Sequence, residues 1–114
     1  MNFLFHFSVA VRRGIGCEMP SHLKGAHVDC YAAAPEHLAA LRLAVEQLRG
    51  KGYELEDVVG GQVQQLDPLR WDAYVSKTWP ELINHFPPQT DMLKFIQAGG
   101  VFFGPFCAWE SEAH

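Results

Sequence analysis

A chain of 114 residues, 48% apolar and 19% charged, lies in the globular range and suits a single hydrophobic core rather than a disordered segment. Its net charge of −4, with no basic run beyond Arg12-Arg13, argues against electrostatic binding of nucleic acid. Cys17, Cys30 and Cys107 are an odd, widely spaced set without a Cys-x-x-Cys pair, so a reducing, cytoplasmic setting is the expectation.

Phe3, Phe5, Phe7, Val9 and Val11 alternate strictly, the signature of a strand with one buried face. The same stretch lacks a positive n-region, carries its arginines after the apolar run and is too short to span a bilayer, so it reads neither as a signal peptide nor as a membrane segment. Residues 12–25 show no periodicity and contain Gly14, Gly16, Pro20 and Gly25, which predicts an irregular loop. Ala26, Val28, Cys30 and Ala32 then alternate with His27, Asp29 and Tyr31 in a second strand.

Leu38, Leu41, Val45 and Leu48 recur at helical spacing. They predict a helix over residues 35–49, with Ala34 as a weak N-cap, Pro35 in the first turn and Gly50 or Gly52 as the stop. An extended pattern resumes over residues 53–66, interrupted by Gly60-Gly61. The pair reads as a bulge in one bent strand, the preferred reading, or as the turn of a hairpin.

Asp67-Pro68 resembles an N-cap followed by Pro at the first helical position, and Leu69, Trp71, Tyr74, Val75 and Thr78 continue at helical spacing. Pro80 breaks that run while Thr78-Trp79-Pro80-Glu81 matches a capping box, so two short helices meeting near Trp79 are expected. His85-Phe86-Pro87-Pro88 is a firm break. Thr90 is the expected cap of a last short helix carrying Met92, Leu93, Phe95 and Ile96, ended by Gly99-Gly100. The final strand, residues 101–109, is aromatic and interrupted by Gly104-Pro105, which marks an edge position or a bulge. Residues 110–114 read as a frayed tail.

The order of elements predicts one α+β domain over residues 1–114. Its architecture resembles a ferredoxin-like sandwich: a mainly antiparallel four-stranded sheet with helices on one face, the second helical segment being broken. Many unrelated activities occupy such a fold, so architecture alone assigns no function.

The candidate ligand-binding residues are His27, Asp29 and Tyr31, which share the outward face of the second strand. In an enzyme, His27 would serve as general base, oriented by Asp29, with Tyr31 donating to developing charge. Residues two apart on a strand stand roughly 7 Å apart, so His27 and Asp29 would meet only through favourable rotamers or a water. Glu54 and Glu56 offer a second pair at the same spacing. Cys30 and Cys107 read as inert core thiols, Cys17 as the exposed one. Gly14-Ile15-Gly16 lacks the rest of a phosphate loop. The histidine and cysteine spacings match no zinc pattern, and no metal or other cofactor is expected.

Phe102 and Phe103 point to opposite faces of the last strand, so an open sheet covered on one side leaves apolar surface uncovered. Homodimerisation through that sheet face is the expected answer. The leading functional expectation is therefore a cytosolic, self-associating binding or interaction domain. The alternative is a small-molecule enzyme with an acid–base cleft at His27, Asp29 and Tyr31.

Overall fold

The computed structural model describes residues 1–14 and 23–110, without the side chains of residues 13, 23, 24 and 105–110. The expected exposed thiol, Cys17, and the tail at 111–114 lie outside the described residues, as does the side chain of Cys107. The strands are β1 (Phe3–Arg13), β2 (Leu23–Ala34), β3 (Tyr53–Val58), β4 (Gln64–Leu66) and β5 (Gly100–Glu110); the helices are α1 (His37–Gly50), α2 (Trp71–Thr78) and α3 (Gln89–Ala98). β1 and β2 invade both ends of the stretch expected to be a loop, leaving its middle, residues 15–22, outside the description.

The sheet is antiparallel, in the order β3-β1-β2-β5, with β4 also paired to β1. Five strands thus replace the expected four. β3 pairs with the Val9–Arg13 end of β1 and β4 with its Leu4–His6 end. Gly60 and Gly61 sit between them at φ 71° and 63°, a left-handed conformation that glycine adopts without steric cost. The glycine pair is therefore neither a hairpin turn nor a simple bulge. It interrupts one bent path whose two halves both pair with β1.

The first sheet face carries Phe5, Phe7, Val9 and Val11 from β1 and Ala26, Val28, Cys30, Ala32 and Ala34 from β2, packed under Ala40, Ala44 and Leu48 of α1. The expected stripe of large residues is only half right. Leu48 is buried, Leu41 is partly buried, and Leu38 is 56% exposed. Two alanines one turn apart let the helix approach the sheet closely, and they rather than the leucines form its inner surface. The helix also starts later than expected. Glu36 is its N-cap, accepting at its carbonyl from the Ala40 amide at 3.1 Å, and Pro35 lies outside.

The second sheet face is covered as well, which departs from the expectation of helices on one side only. Leu4 and Tyr31 from the strands pack with Trp71 and Val75 of α2, Phe86, and Met92 of α3, with Phe95 and Phe102 against them. This arrangement gives Phe102 an intramolecular partner surface. Asp67 accepts from the Leu69 amide at 3.0 Å and starts a short 3-10 turn that leads into α2. Trp71 anchors the cover by donating from Nε1 to the Pro87 carbonyl at 2.8 Å. α3 starts at Gln89 with Pro88 as its cap, two residues before the expected cap, Thr90.

Candidate functional site

The β1–β2 register sets His6 opposite Tyr31, Ser8 opposite Asp29 and Ala10 opposite His27, all on the second face. The helical cover reaches Tyr31 and stops short of His27, which is exposed. Asp29 stands at this boundary. Its Oδ1 lies 2.8 Å from His6 Nε2 and accepts a hydrogen bond from Ser8 Oγ at 2.7 Å. The His6 and Asp29 side chains retain 19% and 22% exposure.

Burial by itself pushes the Asp29 carboxyl up, but the bonds from His6 and Ser8 and the fields of His6 and His27 outweigh it and hold the group below its ordinary value. Asp29 is therefore ionised near neutral pH and only accepts hydrogen bonds, so His6 Nε2 carries the proton between them. Two groups remain without a partner among the described residues: His6 Nδ1 and Asp29 Oδ2. Serine, histidine and aspartate are all present, but Ser8 gives its proton to Asp29 rather than to His6. That wiring is not a nucleophilic triad.

Tyr31 is fully buried, contrary to its expected outward role. Trp79 Nε1 donates to Tyr31 Oη at 2.9 Å, and the Tyr31 and Tyr74 hydroxyls are 2.8 Å apart. Among the described residues the only acceptor for the Tyr31 proton is Tyr74 Oη, and the reverse direction would leave a buried O–H without one there. The chain therefore runs Trp79 to Tyr31 to Tyr74, and Tyr74, half-buried beside the His6 ring at 6.1 Å between centroids, keeps its own proton available. Burial first, then the Tyr74 hydrogen bond and the Asp29 charge, push the Tyr31 hydroxyl well above its ordinary value. Tyr74 is raised by burial and by Asp29. Both are neutral phenols at physiological pH.

On the other side of Asp29, the β2–β5 register runs from Cys30 opposite Phe103 to Val28 opposite Phe106. Gly104 and Pro105 thus face the single residue Asp29 in a β-bulge, a feature that recurs beside active sites. A Cβ on Gly104 would meet Asp29 Cβ at 3.3 Å and Tyr31 Cε2 at 3.4 Å, so the missing side chain keeps this flank of Asp29 open. Gly104 also walls a recess of about 250 Å³ lined with Leu82, His85, Phe86 and Phe103. Trp79 stacks on Phe86 at 6.0 Å.

Of the predicted site residues, Asp29 is central, Tyr31 is its buried floor, and His27 shares the face and acts on Asp29 through its field. The histidine bonded to Asp29 is His6, across the strands. His6, Ser8, Tyr74, Trp79 and Gly104 were missed. Glu54 is exposed and paired with Arg12 Nε at 3.1 Å, and Glu56 is exposed, so the alternative carboxylate pair builds no site. Cys30 is wholly buried and its thiol is pushed up to about 12 by burial, then by Asp29, which makes it unreactive. No group of three or more potential metal ligands occurs among the described residues, and no helix among them is long and apolar enough to cross a membrane. Comparison with protein-family models, curated proteins and solved structures finds no match to the chain.

Proposed function

We propose that the chain binds a small molecule in the recess beside Asp29 and that the His6–Asp29 pair exchanges a proton with it. The observation that carries this reading is the convergence on one half-buried carboxylate. His6 and Ser8 occupy one oxygen of Asp29, while the bulge at Gly104 and the adjoining recess lie on its other flank. Ionisable and polar groups meeting beside a concavity are the usual mark of a ligand site. In the neutral ring, His6 Nδ1 is the base, and the Asp29 carboxylate stabilises the imidazolium formed when it takes a proton. Tyr74 supplies a hydroxyl proton nearby.

The test is a fragment screen read by amide chemical shifts. Binding fragments are expected to move the signals of Asp29, Leu82 and Gly104, and Asp29→Asn is expected to weaken them by about tenfold or more, the scale of a hydrogen bond to a charged group. Shifts confined to other surfaces, or equal shifts in Asp29→Asn, would reject the reading.

Self-association is a second reading, supported by β5. It is 11 residues long and pairs on one side only among the described residues, and such an edge is a template for another strand. Light scattering at micromolar concentration tests it: a mass of twice 12.8 kDa supports pairing of copies, and a monomer mass opposes it.

A further inference from the structure

The recess and the charge around it specify what kind of molecule belongs there. Asp29 Oδ2 only accepts hydrogen bonds, and it has no partner among the described residues. Among the described residues no lysine or arginine lines the recess. Arg12, on the same face by strand register, is engaged by Glu54. Ser8 is neutral, and Tyr31 and Tyr74 are phenols. His6 and His27 lend their fields to Asp29 and His85 lines the recess, but Oδ2 itself only accepts. An anionic ligand would face the half-buried carboxylate, whereas a cationic donor would complete it with a charge-assisted hydrogen bond, about twice as strong as a neutral one.

The walls point the same way. Phe86 lines the recess with Leu82, and Trp79 stacks behind Phe86, so the site offers apolar contact and aromatic faces that attract a cation. A volume of about 250 Å³ lies just under the usual range for drug-sized ligands, roughly 300–1,000 Å³. It suits one ring with a short chain.

We infer that the site takes a small primary amine on an aromatic or apolar body, the body seated against Leu82, Phe86 and Gly104 and the ammonium held by Asp29. This inference rests on the small-molecule reading above and names its ligand class.

Three probes of matched shape test it: 2-phenylethylamine, 2-phenylethanol and 3-phenylpropanoate, each titrated into the full chain at neutral pH and followed by amide shifts. The amine is expected to bind about tenfold more tightly than the alcohol, the difference between a charged and a neutral hydrogen bond, with shifts at Asp29 and Gly104. The propanoate is expected to leave these signals in place. Asp29→Asn is expected to bring amine and alcohol to equal affinity. The wild-type series decides even if that variant does not fold. Equal binding of alcohol and amine at Asp29, or tighter binding of the propanoate, overturns the amine assignment while leaving a small-molecule site. Failure of all three to move Asp29 or Gly104 at millimolar concentration overturns the amine assignment; the broader fragment screen then separately decides whether the site itself stands.

Discussion

At the scale of single residues, the site turns on how protons and charges are distributed around Asp29. Its folded-state acidity lies below the ordinary 3.8. The unfolded chain therefore takes up the Asp29 proton first as pH falls, and the stability contributed by the carboxylate is present above 3.8 and lost as pH drops through the lower folded value. Denaturant titrations of wild type and Asp29→Asn are expected to differ by an amount that is constant at neutral pH and shrinks below 3.8; a constant difference down to the folded value would contradict this. Tyr74→Phe tests the direction of the hydroxyl chain. It removes the acceptor of the buried Tyr31 proton among the described residues, so urea unfolding is expected to show a loss of about 1–3 kcal/mol; no loss would mean that Tyr31 does not donate to Tyr74.

Asp29 was legible in the sequence because a charge in an alternating apolar strand has to face away from the core. Its partner was not. His27 is the near histidine along the chain, but strand geometry sends neighbours on one face about 7 Å apart, while Ser8, directly opposite Asp29, is closer and His6, diagonal to it, is within reach of a long side chain. Choosing His6 and Ser8 requires the β1–β2 register, which the unpatterned residues between the strands do not specify. Their even spacing along β1 was the one available signal.

At the scale of elements, the cover over the second face is built from pieces too short to hold themselves. α2 has eight residues and α3 ten, below the roughly 12–15 at which isolated helices become even marginal in water. Their starts are tied together reciprocally: the Gln89 amide donates to Asp72 Oδ1 at 3.0 Å, and the Asp72 amide donates to Gln89 Oε1 at 3.2 Å. Each side chain caps the other helix. A double-mutant cycle of Asp72→Ala and Gln89→Ala is expected to show coupling of about 0.5–1.5 kcal/mol; additive effects would mean that the two caps act separately. The broken helical segment was legible from Asp67, Pro68, Pro80 and the Pro87-Pro88 pair. These long-range caps were not, since neither residue stands at the position from which a local N-cap acts. The buried face of α1 was misjudged for a related reason. Hydrophobicity favours Leu38, but closeness to the sheet favours Ala40 and Ala44.

At the scale of the whole molecule, the sheet is covered on one face along α1 and on the other only part of the way. The α+β class followed from the switch between two-residue and helical periodicity, while the antiparallel strands were what the resemblance to a ferredoxin-like architecture implied. What periodicity cannot convey is the face on which a helix packs. Phe102 and Phe103 pointed to apolar surface on both sides, and the second face carries the chain's own Trp71, Phe86 and Phe95. The limit of that cover is what leaves Asp29 half-exposed between a histidine and a bulge. A crystallographic soak with aryl amine fragments tests this account most directly. It is expected to place a ligand in the recess at Leu82, Phe86 and Gly104 with a donor about 2.7–2.9 Å from Asp29 Oδ2; an empty recess, with fragments bound only elsewhere on the surface, would contradict it.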